Sequence, residues 1–247
     1  MQPEVDWLQP HWSVPKVRAY CSTRAGRFNR PPYDGFNTAN HVGDAPQDVA
    51  ESRRWLGQYF NWQRQPQWLQ QVHGTGVVEA RGDGIERKAD AVFSGIPGQV
   101  CTLHTADCLP VFLAAEDGSV VALAHAGWRG LAAGVLQNTV QAMDVQTSAV
   151  VAWLGPAISA QNFEVGEEVL DTFTESIQGC EPCFSPNHRG RWQCDLYGLA
   201  KLVLKRSGVK TISGGDYCTF ADPNLFSYRR SPVTGRLLSL IWIDPAQ

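Results

Sequence analysis

The stretch QVCTLHTADCLPVFLAAEDGSVVALAHAGWRG, residues 99–130, decides the fold class. It holds three apolar segments, at 99–104, 109–114 and 119–125, divided by short polar breaks containing Asp or Gly. Each segment has the length of a strand, and each break is the size of a turn. Two further apolar segments upstream, at 67–73 and 89–93, extend the pattern. Strand follows strand through turns and not through helices, which argues against a simple parallel doubly wound sheet. Beyond the last strand, Leu131, Val135, Val140 and Met143 carry the spacing of a buried helical stripe, predicting a helix from Trp128 to about Met143.

Working outward, VRAYCST at 17–23 reads as a strand, and 24–44, with its Arg, Asn, Gly and Pro, reads as a long functional loop. Asp44 is placed as the N-cap of a helix with Pro46 in its first turn, running to about Phe60. A strand at 149–154 and helices at 165–178 and 195–207 follow, the last opening on Asp195 as N-cap. Late strands fit 209–213, 217–220, 226–229 and 236–243. Nothing in the chain reads as a linker, repeat or low-complexity segment. The expected architecture is α+β: one domain over residues 1–247, built as a mixed-sheet α/β sandwich.

Of the 247 residues, 43% are hydrophobic and 18% charged, the balance of a chain with a sizeable core. A net charge of −3 leaves no electrostatic footprint for nucleic acid. The first twenty residues lack a basic start followed by an apolar stretch, and no run approaches a membrane span. Seven scattered cysteines without an export signal read as reduced thiols and ligands. The expectation is therefore a cytoplasmic protein with small-molecule ligands, without a nucleic-acid, membrane or obligate protein partner.

Three residues carry the chemistry: His73 in QVHG, Cys108 in TADCLP and His125 in HAGWRG. Two imidazoles and a thiolate suit zinc, with copper as the alternative, and three protein ligands leave a coordination position open for water or substrate. The ligands are too far apart in sequence for a zinc-finger loop, so the fold must assemble the site. His41 and His104 are the replacements to consider. Gly127 and Gly130 in the turn after His125, the helix start that follows and Arg129 together read as an anion site. A rival set, Cys180, Cys183, His188 and Cys194, spells C-x2-C-x4-H-x5-C, which reads either as a closed structural zinc site or as a loop that binds no metal. The metal-free loop is the preferred reading.

Taken together, QVHG (71–74), DAVFSG (90–95), TADCLPVFL (105–113), HAGWRG (125–130), GPAIS (155–159), FEVGEEV (163–169) and FSYRR (226–230) resemble the YfiH-like laccase-domain family. Its members have been described as multicopper polyphenol oxidoreductases and as purine nucleoside phosphorylases. The resemblance implies a single α/β sandwich similar to the toxin-deamidase fold, and a zinc site at His73, Cys108 and His125. It also implies phosphorolysis of adenosine, inosine and methylthioadenosine, with adenosine deamination. Purine nucleosides and phosphate are then the expected ligands. The chain departs from the family pattern in STRAGRFN at 22–29, which lacks a second glycine, and in the C-x2-C at 180–183.

Deamination requires water activated at the metal and a proton-carrying carboxylate, for which Asp107 stands nearest in sequence; its plainer role is that of a turn residue. Cys108 and His125 complete the catalytic set. Phosphorolysis requires counter-charge for phosphate, assigned to Arg24, Arg129 and Arg229, and Gln71 joins them on the substrate side. Two alternatives differ in class. A laccase-like copper oxidase would use the same His, Cys, His set with an axial Met, for which only Met1 and Met143 exist. A metal-free cysteine hydrolase acting on amides or cell-wall precursors would use Cys108 as nucleophile and His125 or His73 as base.

Overall fold

All seven residues of the strand Leu109–Ala115 are buried, and successive side chains serve two different cores. Leu109, Val111 and Leu113 point to one side, and Phe112 and Ala114 to the other, as the two-residue period of a strand requires. The neighbouring strand Val121–Ala126 divides in the same way, with Ala122 and Ala124 on the first side and Val121 and Leu123 on the second. A sheet buried on both faces shows no apolar/polar alternation, which is why these strands read as unbroken apolar runs.

The computed structural model describes residues 5–245. It is a single-domain mixed α/β structure with several sheets. The six-stranded sheet runs in the order Thr211–Gly214, Val150–Leu154, Leu109–Ala115, Val121–Ala126, Ala91–Ser94, Val77–Glu79. Its inner pairings are antiparallel and its two outermost are parallel. An antiparallel four-stranded sheet, Trp7–Leu8, Val17–Ser22, Leu237–Ile243 and Cys101–Thr105, packs face to face on it through Leu103, Leu237, Ile241 and Phe112. The outer face of the larger sheet is covered by the helices Val135–Ala142 and Leu196–Arg206, through Leu136, Val140, Leu199 and Val203. The outer face of the smaller sheet packs Leu238, Leu240 and Trp242 near the helix Pro46–Tyr59, which supplies Leu56 and Trp55. Each fully buried Leu or Phe in these layers contributes roughly 1.5–3 kcal/mol. The mixed-sheet sandwich expected from the chain is thus observed.

Four local expectations are corrected. Asp44 does not cap the first helix: Ala45 holds that position, while the Asp44 carboxylate accepts from Asn29 Nδ2 at 2.7 Å and Asn37 Nδ2 at 2.8 Å and ties down the long loop. The helix expected from Trp128 to Met143 is two helices, Trp128–Ala133 and Val135–Ala142, divided at Gly134, whose φ of 102° only glycine adopts easily. Residues 67–73 form only a two-residue strand, Leu69–Gln70. Residues 217–220 and 226–229 are not strands. There the Arg230 guanidinium gathers the carbonyls of Thr219, Phe220, Asp222 and Leu225, and a chain bent around one donor group cannot also form a ladder. Asp195 does cap its helix, accepting from Gly198 N at 3.0 Å. No helix among the described residues is long and apolar enough to cross a membrane.

Candidate active site

Cys101–Thr105 belongs to the smaller sheet and Leu109–Ala115 to the larger, so Ala106–Asp107–Cys108 is the corner where the chain changes sheets. Asp107 takes a φ of 93° there, which turns Cys108 towards the ends of the neighbouring strands. His125 stands near the end of the adjacent strand, paired with Pro110. His73 follows the short strand at 69–70 with a φ of 60°. The ligand atoms of His73, Cys108 and His125 all lie within 4.8 Å of one another, and no other such His/Cys/Asp/Glu group occurs among the described residues. The His73 and His125 rings meet edge-on, 4.8 Å between centroids. His73 is exposed, Cys108 half-buried and His125 buried, so the group is reachable from one side.

Asp90, fully buried, organises this group and was not singled out by the sequence reading. Its carboxylate accepts from the backbone N–H groups of Val72 at 3.2 Å, His73 at 2.8 Å and Gly74 at 2.7 Å. It also lies 2.8 Å from His125 Nδ1. An ionised carboxylate can only accept, so the proton of that contact sits on Nδ1, leaving Nε2 for a metal or the thiol. One carboxylate therefore sets the strained turn that carries His73 and the tautomer of His125. The DAVFSG segment contains it, but a buried Asp that begins a strand looks no different in sequence from a turn residue.

Burial pushes the Cys108 thiol up, yet His125 and His73 more than offset it and hold it down at about 6. Burial likewise lowers His125, but the Cys108 thiolate and Asp90 raise it to about 9. At neutral pH the metal-free pair is thus a thiolate beside an imidazolium. The donor set fits a borderline metal: a preformed thiolate, two imidazole nitrogens and one open face.

The group opens into a cavity of about 470 Å³. Gln71, Asp107, Arg129 and Arg229 line it with the three ligands; Arg24 does not, and sits in a separate pocket paired with Asp34 at 2.7 Å. Gln71 spends its amide on the backbone of His104, through Oε1 and Nε2 at 2.9 Å each. Asp107 accepts from Thr219 Oγ1 and Arg229 N, both at 2.6 Å, so its carboxylate pins a distant loop to the sheet corner. Arg129 lies over the Trp128 ring at 4.3 Å, and Arg229 over Phe163 at 5.3 Å. His41, His104, Trp128, Tyr228 and Arg236 also line the cavity. Arg236 lies in no segment with a recognisable donor pattern, and Tyr228, although inside FSYRR, was passed over there in favour of Arg229.

The two glycines after His125 make room for the protein itself. A Cβ on Gly127 would lie 3.0 Å from Cys108 Sγ and 3.3 Å from His73 Cδ2, and one on Gly130 would lie 2.8 Å from Gly74 O. The helix they open is only six residues long. The rival cysteines form no metal group: Cys180 and Cys194 are buried, Cys183 is half-buried, and His188 is exposed on the hairpin between Phe184–Pro186 and Trp192–Cys194.

Residues 18–244 match the family described as multi-copper polyphenol oxidoreductase laccase. The chain is 46% identical over 241 residues to a purine nucleoside phosphorylase of Pseudomonas aeruginosa, covering 96% of this chain and 98% of that one. It is 44% identical over 239 residues to the purine nucleoside phosphorylase YfiH of Escherichia coli, again covering 96% and 98%. Among solved structures it is similar to a Neisseria meningitidis protein, at 42% identity and a TM-score of 0.93 over 96% of this chain and 99% of that one. YlmD from Geobacillus stearothermophilus gives 27% identity and a TM-score of 0.90 over 96% of each chain. With nearly its full length matched and its distinctive segments meeting at one site, the chain belongs to the YfiH-like family of multi-copper polyphenol oxidoreductase laccases.

Proposed function

We propose that the protein is a zinc-dependent purine nucleoside phosphorylase that also deaminates adenosine. The convergence of His73, Cys108 and His125 on one face of a mostly apolar cavity carries this reading. The names of the relatives support the substrate class, purine nucleosides with phosphate. His73, Cys108 and His125 would hold the ion, which when bound supplies Lewis acidity and an open position for water or substrate. Zinc is favoured over copper because no methionine among the described residues lines the cavity. Met143 is buried in the helix-covered core, and Met1 lies outside the described residues.

In phosphorolysis a phosphate oxygen bonds to C1′ of the ribose as the C1′–N9 bond breaks. The electron pair leaves with N9, which takes up a proton, giving free purine and ribose 1-phosphate. The chain contributes an apolar wall for the base, from Trp128, Ile158, Phe163 and Leu196, and a cationic lining elsewhere in the cavity for phosphate. In deamination a water oxygen bonds to C6 and the C6–N bond breaks, the amino group taking up a proton and leaving as ammonia, and the proton carrier has to be a titratable group lining the cavity. Asp107 is the carboxylate there, although its two hydrogen bonds also give it a structural task.

One observation favours a second reading. Asp90, His125 and Cys108 form a carboxylate–imidazole–thiolate series, the arrangement of a cysteine hydrolase. Incubating metal-characterised protein with adenosine and phosphate separates the two. Adenine with ribose 1-phosphate supports phosphorolysis and inosine supports deamination. An acyl adduct on Cys108 with amide substrates, and no nucleoside turnover, supports the hydrolase.

A further inference from the structure

One side of the cavity is strongly basic and takes no part in the metal group. His104 is fixed there from several directions. Its ring stacks on Trp68 at 5.5 Å, its Nε2 lies 2.9 Å from Thr38 Oγ1, and Gln71 holds its backbone. Its Nδ1 has no partner among the described residues. His41 meets it edge-on at 5.9 Å. Arg236, half-buried, donates through Nη1 to Thr234 O at 2.9 Å and Gly235 O at 3.0 Å. Those bonds orient the guanidinium but leave Nε–H and Nη2–H, the side-on fork, without a protein acceptor. Behind the wall, Arg53 lies over the Trp68 ring at 4.0 Å.

No carboxylate pairs with Arg236 or Arg53 among the described residues. Glu86 acts favourably on His41 and Arg53 but bonds to neither. Burial, then Arg53, His41 and Arg236, push His104 well below the ordinary range of histidine, as a collection of like charges does. Cys108 and Asp107 act favourably on Arg236 through space, but neither bonds to it; a guanidinium withdrawn from water with no bonded counter-ion is costly, and an oxyanion removes that cost with paired, charge-assisted hydrogen bonds. The alternative anion position, at the helix start after His125, belongs to a helix of only six residues, whose Gly127 packs against Cys108 and His73. Arg129 and Arg229 are both exposed, where water screens them.

We propose that His41, His104 and Arg236 form the oxyanion subsite of this cavity, with inorganic phosphate as its ligand, held side-on by Nε–H and Nη2–H of Arg236. The identity of the anion rests on the phosphorolysis reading; the subsite itself rests on the geometry. Phosphate seated there supplies the oxygen that bonds to C1′ while the C1′–N9 pair departs with the base. The apolar lining of Ile158, Phe163 and Leu196 is left for the purine.

The test compares Arg236→Met with Arg129→Gln in the metal-loaded protein. Arg236→Met is expected to raise the KM for phosphate about ten-fold or more, with the KM for nucleoside and the metal content little changed. A phosphate KM that responds to Arg129→Gln and not to Arg236→Met overturns the subsite. Calorimetric titration with inorganic phosphate alone makes the result independent of turnover. If the wild type fails to phosphorolyse but binds phosphate, and Arg236→Met abolishes that binding, the subsite stands and the assigned reaction falls. If the wild type binds no phosphate at millimolar concentration, or Arg236→Met binds it equally well, the subsite is overturned. Should Arg236→Met not fold, Arg236→Lys and His41→Asn carry the same comparison.

Discussion

Replacing Asp90 by Asn removes one oxygen from the centre of the site while keeping the shape of the side chain. The carboxylate receives four hydrogen bonds, three from backbone N–H groups and one from His125 Nδ1. An amide offers one acceptor oxygen and one NH2 donor, so the contacts cannot all survive. If the oxygen keeps Val72 N and Gly74 N, which share Oδ2, the NH2 group confronts His73 N and His125 Nδ1. His125 can then accept only by moving its proton to Nε2, the nitrogen a metal would need. Loss of such a partner typically weakens metal binding about 10–100-fold. Two charge-assisted bonds lost inside a buried network cost about 3–6 kcal/mol of stability. At about 2–4 °C per kcal/mol for a chain of this size, the melting temperature should fall by roughly 6–24 °C. Competition with a chromophoric chelator reads the affinity, and calorimetry of the metal-free protein reads the stability. An Asp90→Asn variant that binds zinc as tightly as the wild type would refute the orienting role, whatever its melting temperature.

Metal uptake should release protons in a pH-dependent way. Between about pH 6 and pH 9 the metal-free pair holds a thiolate on Cys108 and a proton on His125, so binding displaces about one proton, and affinity should rise with pH in this window. Below about 6 the thiol holds a second proton and the dependence should steepen; above about 9 it should flatten. Calorimetry in buffers of different ionisation enthalpy checks this, and uptake of protons on binding would contradict it. Gly127→Ala, at an ordinary backbone conformation, should weaken metal binding while the fold persists, because its Cβ would meet Cys108 Sγ at 3.0 Å. Gly134→Ala, with nothing closer than 3.7 Å, should cost only about 1 kcal/mol of backbone strain, read by denaturant unfolding, and leave metal affinity alone. Cys108→Ser should abolish stoichiometric metal, and Cys183→Ser should not, as read by elemental analysis after dialysis.

The central strands were legible in the chain because their residues are apolar on both sides and their breaks are short. The layer order was not, since a run such as Leu109–Ala115 does not say which face meets a sheet and which a helix. The converging candidate ligands His73, Cys108 and His125 could be named because rare, reactive residue types sit in Gly-marked turns. Their support could not. Asp90 acts through a tautomer and a turn, and both depend on residues 16–35 positions away. The arginines divided for a similar reason. Arg129, beside a ligand, attracts attention in sequence but points into an exposed cation–π contact. Arg236 reaches the cavity only because Leu237–Ile243 inserts between Val17–Ser22 and Cys101–Thr105.

The coordination sphere itself is the most direct test of whether one fold-assembled, open metal site underlies the activity. Zinc K-edge absorption on protein purified without added copper should show one sulfur and about three lighter scatterers, with the sulfur lost in Cys108→Ser. A wild-type spectrum without sulfur, or one fitting a closed sphere of four protein donors, would contradict it.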